Sequence, residues 1–249
     1  MYKIGITEAG DASLDYQWVS KMVFVDGAIL ITKNVSDKFI DEVVKVKDKV
    51  IVHATVTGFG GTVLEPNVPK VGYSMTQINK LILKGFPKEK IVIRIDPIIP
   101  TSKGIMQFVD LVDLFMIQDF KRFRISLIDM YPHVRERFRE KGLPNPYMGN
   151  NFSPLKSQIE AVDKYILELK KKYEGLRIES CAEKDLKETI KIGCVSEYDI
   201  NLLGLKVEEG IDSIGFQRKD CLCYSGKTEL LNHKEPCKYN CLYCYWRNK

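Results

Sequence analysis

Long apolar runs are missing from this 249-residue chain. No stretch approaches the roughly 20 apolar residues needed to span a bilayer. The start, Met1-Tyr-Lys-Ile-Gly-Ile-Thr-Glu-Ala-Gly10, has no apolar core behind a basic head, so nothing there reads as a secretory leader. These two absences predict a cytoplasmic protein with no membrane partner. Internal sequence repeats are lacking, which excludes a solenoid or propeller. Histidine is scarce, at three residues, so a metal site would have to draw on other ligands. Strong charge of one sign is also absent: the net charge of +5 permits a nucleic-acid partner without arguing for one. The densest basic run, Leu167-Glu-Leu-Lys-Lys-Lys-Tyr173, reads as the solvated end of a helix.

Cysteine is absent from the first 180 residues, and all seven then fall between Cys181 and Cys244. In a reducing compartment such crowding points to metal or redox chemistry, and an odd count argues against a disulfide framework.

What is present is alternation. Strand patterns occupy Lys3–Thr7, Ala28–Thr32, Val50–Thr57, Ile91–Ile95, Phe123–Ile128, Leu176–Ser180 and Asp212–Phe216. Helical spacing falls between them, at Leu14–Phe24, Asp37–Val46, Ser74–Leu83, Ile105–Ile117 and Leu155–Tyr173, with Ser153-Pro154 expected to open the last. A short helix is expected at Leu186–Ile192. Repeated strand–helix units imply a parallel sheet. The expectation is an α/β fold, a TIM-like (βα) barrel over residues 1–218, with residues 219–249 as a cysteine-rich cluster-binding tail packed on its rim. Polar residues at strand ends favour the barrel, because barrels collect their sites at the C-terminal rim. Arg94 and Asp96 share one face of a strand otherwise built of Val and Ile. Burial requires that they pair or hold a ligand.

The tail reads Pro236-Cys237-Lys-Tyr-Asn-Cys241-Leu-Tyr-Cys244. Three thiolates at Cys-x3-Cys-x2-Cys spacing can ligate three irons of a [4Fe–4S] cube and leave the fourth iron open. A zinc knuckle and an electron-transfer cluster that borrows a fourth cysteine stay open as alternatives. Cys181, Cys194, Cys221 and Cys223 are expected to form a second metal site, an auxiliary [4Fe–4S] cluster or a zinc site.

With these residues in view, the chain resembles an uncharacterised bacterial and archaeal family that carries a radical-SAM-like cysteine cluster at its C-terminus. It is more distantly similar to spore photoproduct lyase and related radical S-adenosylmethionine (SAM) enzymes. The matching stretches are Ile31-Thr-Lys-Asn34, Leu64-Glu-Pro-Asn-Val-Pro69, Arg94-Ile-Asp-Pro-Ile98, Ser126-Leu-Ile-Asp-Met-Tyr131, Glu179-Ser-Cys-Ala-Glu183, Gln217-Arg-Lys-Asp-Cys-Leu-Cys223 and the cysteine loop. Two stretches depart from the family pattern: Thr7-Glu-Ala-Gly-Asp11 and Gly226-Lys-Thr-Glu-Leu230.

The resemblance implies a [4Fe–4S] cluster on Cys237, Cys241 and Cys244, with SAM on the open iron. It further implies reductive cleavage to a 5′-deoxyadenosyl radical, an external reductant such as flavodoxin or ferredoxin, and a nucleobase or nucleic acid as substrate. Tyr243 would lie beside the adenine, and Arg94 and Asp96 would be candidates for the ribose or the substrate. A cluster loop after the last strand implies a circular permutation of the radical-enzyme barrel, which makes Glu8 and Asp11 candidates for the methionine amine. The competing class is a non-catalytic iron–sulfur or zinc protein, for electron transfer or nucleic-acid binding.

Overall fold

A computed structural model of the protein describes residues 1–206, 222–232 and 237–246. The expected strand Asp212–Phe216, Cys221 and His233 lie outside them.

Eight strands build one parallel sheet: β1 Ile4–Ile6, β2 Gly27–Thr32, β3 Val50–Thr55, β4 Ile91–Ile98, β5 Arg122–Leu127, β6 Arg177–Ser180, β7 Ile190–Lys191 and β8 Lys227–Glu229. Their order is β7-β6-β5-β4-β3-β2-β1-β8, so consecutive strands are neighbours and β8 returns to the far edge beside β1. The intervening helices are α1 Gln17–Lys21, α2 Asp37–Lys45, α3 Val71–Leu83, α4 Ser102–Ile117, α5 Pro132–Glu140, α6 Lys156–Lys172 and α7 Glu197–Leu202. Ser36 caps α2 by accepting from the Phe39 N–H, and Thr101 caps α4 through Gly104. Both are short hydroxyl side chains placed to satisfy an otherwise orphaned amide.

The two faces of the sheet differ in chemistry. Val50, Val52, Ala54, Ile93, Ile95, Phe123, Ile125 and Ile178 join the main core with helix residues such as Phe39, Phe108, Phe115 and Ile166. The alternate residues face the other way, as period two requires. There Ile4, Ile6, Ile29, Ile51 and Val92 pack on Ile200 and Leu203 around α7. Beyond these apolar residues the same face turns polar. Register sets Thr55, Arg94, Arg124 and Glu179 side by side across β3 to β6. Arg122 donates to both Glu179 (2.9 Å) and Asp199 of α7 (2.6 Å), and Arg124 donates to Glu179 at 2.9 Å. Glu179 and Asp199 are wholly buried. Charges at such depth persist because each is paired.

The β7 and β8 edges are not hydrogen-bonded partners within the described ladders. The backbones on either side nevertheless meet. The Tyr224 N–H donates to the Val195 carbonyl at 3.0 Å, and a Cβ added to Gly193 would lie 2.3 Å from the Leu222 carbonyl oxygen. Only glycine allows that approach.

Several boundaries differ from the sequence expectation. Leu186–Ile192 holds strand β7 rather than a helix. Its three apolar residues fit a helix through Leu186 and Ile190 and a strand through Ile190 and Ile192, and pairing with β6 decides it. Helix α6 starts at Lys156 with Leu155 as its N-cap, whose N–H donates to Gln158 Oε1, so Ser153-Pro154 precedes the helix instead of opening it. Gly226–Leu230 contains a sheet strand, β8, where the pattern was expected to stop. No described helix is long and apolar enough to cross a membrane.

Candidate metal centre

The Cys237–Cys244 loop is seated on the ends of several strand–helix units. Tyr239 shares a 2.9 Å hydroxyl contact with Ser13, Asn67 Nδ2 donates to the Lys238 carbonyl, and the Leu242 N–H donates to the Leu64 carbonyl. Arg137 of α5 donates to the Cys244 carbonyl at 2.6 Å. His133 contacts the Tyr245 carbonyl at 3.0 Å, and Tyr131 stacks on Tyr245 with 5.7 Å between ring centres. Asn240 takes φ 55°, a left-handed conformation that asparagine tolerates better than most residues, and there the chain turns between Cys237 and Cys241.

Within the loop Cys237 is exposed, Cys241 buried and Cys244 half-buried. Burial pushes the Cys241 thiol up to about 12; Lys33 opposes this, while Glu65 and the neighbouring Cys237 and Cys244 add to it. A donor set of three thiols on one short loop is a soft set of the kind that holds thiolate-bound metals.

Tyr243 is held by its side chain. Lys33 Nζ donates to Glu65 Oε1 at 2.7 Å and to the Tyr243 hydroxyl at 2.8 Å, and that hydroxyl donates to Glu65 Oε1. Thr57 donates to Glu65 Oε2 at 2.7 Å. Glu65 is 1% exposed. Burial pulls the Lys33 ammonium down, but Glu65, Cys241 and Asp96 outweigh it and hold Lys33 above the ordinary lysine range. Asp11 is a second anchor. It accepts from the Ser13 N–H and hydroxyl, the Thr32 hydroxyl and the Lys33 N–H, all within 2.9 Å, and burial raises its carboxyl against those bonds.

Arg94 and Asp96 form an ion pair, and Ser126 donates to Asp96 at 2.5 Å. Burial raises the Asp96 carboxyl, and the Arg94 guanidinium more than reverses this. The Nε of Arg94 is buried with no hydrogen-bond partner. His53 on β3 is wholly buried, and neither ring nitrogen has a hydrogen-bond partner. Burial, with Arg124, Arg94 and Arg122 nearby, holds its pKa well below the usual histidine range.

A separate group forms from Cys181 at the end of β6, Cys194 after β7 and Cys223 before β8. Their sulfurs all lie within 4.8 Å of one another, close enough to bind a metal. Cys181 and Cys194 are 3.5 Å apart, and the Cys194 N–H donates to Cys223 Sγ at 3.2 Å. Glu8 pairs with Lys227. Burial and the Cys194 sulfur raise the Glu8 carboxyl, with Lys227 opposing. Glu8 thus stands beside this inner group. Cys221, the fourth expected member, lies outside the described residues.

Lys33 and Glu65 were not singled out from sequence as site residues. Their signal was positional only, as members of the Ile31–Asn34 and Leu64–Pro69 stretches.

Fold and site together define an all-parallel α/β protein with one thiol group on an outer loop and another against its strands. The chain belongs to the DUF1848 family, a domain of unknown function, whose model matches residues 12–246. No curated protein matches the chain.

Proposed function

We propose that the protein is a radical SAM enzyme built on a circularly permuted βα barrel. The observation that carries the reading is the Cys-x3-Cys-x2-Cys loop mounted where strands β1 to β3 end, beside Lys33 and Glu65. Parallel β/α proteins place their chemistry at that end of the strands. Closure of the barrel is supported by the Tyr224–Val195 hydrogen bond and the approach at Gly193, which bring the two sheet edges together. The permutation is supported by β8, which precedes the cysteine loop and pairs with β1.

Cys237, Cys241 and Cys244 would hold the [4Fe–4S] cluster. When bound, such a cluster supplies an electron for reductive cleavage of the SAM sulfonium. The chain's own residues have definable parts. Lys33 offsets negative charge on the thiolates, and Glu65 with Tyr243 fixes the loop's angle. Arg94 keeps Asp96 ionised, so a carboxylate is presented toward Lys33 and Tyr243. The proposed substrate is a nucleobase, free or in a nucleic acid. Tyr245, Trp246 and Phe152 are each 41% exposed beside the loop and offer faces on which a base can stack.

The test is anaerobic. The full chain is reconstituted with iron and sulfide, reduced, and supplied with SAM. Formation of 5′-deoxyadenosine is expected, with its loss in Cys241→Ala. A folded, four-iron-loaded protein that neither binds SAM nor forms 5′-deoxyadenosine overturns the proposal.

A further inference from the structure

The two edge strands of the sheet, β7 and β8, do not pair with each other, and three cysteines from three separate segments converge between them. Cys181 follows β6, Cys194 follows β7, and Cys223 precedes β8 by four residues. Cys223 is 1% exposed, so its sulfur is removed from water.

The spacing discriminates between metal chemistries. In a [4Fe–4S] cube each cysteine takes its own iron, so the sulfurs are held apart by the width of the cube. Thiolates that share one tetrahedral ion stand much closer: a Zn–S bond of about 2.3 Å sets neighbouring sulfurs about 3.8 Å apart. The Cys181–Cys194 separation is 3.5 Å, and all three sulfurs lie within 4.8 Å. This is the spacing of a single ion. It is too long for a disulfide, whose S–S bond is about 2.05 Å.

Two further contacts suit thiolates. The Cys194 N–H donates to Cys223 Sγ, and Lys227 Nζ lies 4.0 Å from the same sulfur.

We propose that Cys181, Cys194 and Cys223 bind one zinc-class divalent ion that clasps the β7 edge of the sheet to the β8 edge. The ion is distinct from any cluster on Cys237, Cys241 and Cys244. It acts structurally by joining two edges whose ladders do not pair.

The test uses the full chain carrying Cys237→Ala, Cys241→Ala and Cys244→Ala, so that the outer loop holds no metal. Zinc at about one equivalent per chain is expected after purification. Exchange for Co²⁺ in the reduced protein should give the visible bands of a tetrahedral thiolate complex. Adding Cys194→Ser should abolish both signals. Should the Cys194→Ser chain fail to fold, competition of the parent chain with a zinc chelator replaces it, and removal should lower its Tm. A folded parent chain that takes up neither Zn²⁺ nor Co²⁺ overturns the proposal. So does a four-iron chromophore in that chain after reconstitution, or a Tm unmoved by removal of the metal. None of these readings depends on SAM cleavage, which is measured on the unsubstituted outer loop.

Discussion

Replacing Glu65 tests what holds the cysteine loop in place. The carboxylate accepts from Lys33, Tyr243 and Thr57 and is 1% exposed. Glu65→Ala removes the only carboxylate paired with Lys33 among the described residues, and leaves that ammonium with 18% of its side chain in water. Breaking a buried ion pair from one side costs about 3–5 kcal/mol. Lys33 keeps the Tyr243 hydroxyl and some solvent, so the low end, about 3 kcal/mol, is expected. That is a large part of a typical stability of about 5–15 kcal/mol. The control is Asp41→Ala, whose partner Lys84 is 46% exposed and whose loss should cost under about 1 kcal/mol. Glu65→Gln keeps the side chain's size and should fall between the two. Urea unfolding followed by circular dichroism measures all three. If Glu65→Ala costs no more than Asp41→Ala, the triad does not anchor the loop.

Two other predictions concern buried charge. Glu179 is wholly buried and shared by Arg122, Arg124 and Arg177, so Glu179→Gln should cost about 3–5 kcal/mol in urea unfolding; a loss below about 1 kcal/mol would refute the pairing. Glu183, whose carboxylate accepts from the Leu127 N–H at 2.8 Å, is raised to about 7, chiefly by burial. The folded state therefore holds its proton more tightly than the unfolded chain. Its contribution is fully present below about pH 4.5 and is lost as pH rises toward 7, by roughly 1–3 kcal/mol. Glu183→Gln should flatten that slope, and an unchanged slope in thermal melts across pH 4–8 would show that another group is responsible.

Much of the architecture was written in local pattern. Val50–Thr55 and Ile91–Ile98 are rich in β-branched residues, and strand and helix periods alternate from β1 to β6, so their order and parallel pairing follow from local preference. The cysteine loop was equally plain, because three thiols within eight residues need no tertiary information to be found together. The shared face of Arg94 and Asp96 follows from period two alone. Their pairing with each other does not, since a strand's periodicity names a face and leaves the partner open.

Tertiary structure decided the rest. Strands β7 and β8 are two and three residues long, too short to show a period, and they exist because β6 and β1 offer open edges. Glu8 lies beside Cys194 and Lys227 because β8 returns to β1, a contact spanning over 200 residues that no local signal encodes. Lys33, Glu65 and Tyr243 meet for the same reason: each ends or follows a different segment, and only the parallel sheet brings those ends to one side. The sequence groups Cys181, Cys194, Cys221 and Cys223 as one expected second metal site, of which the described residues include Cys181, Cys194 and Cys223. Their separation of a few ångströms, which distinguishes one shared ion from a cube, is set by the packing of three backbone segments where Gly193 lets two of them touch.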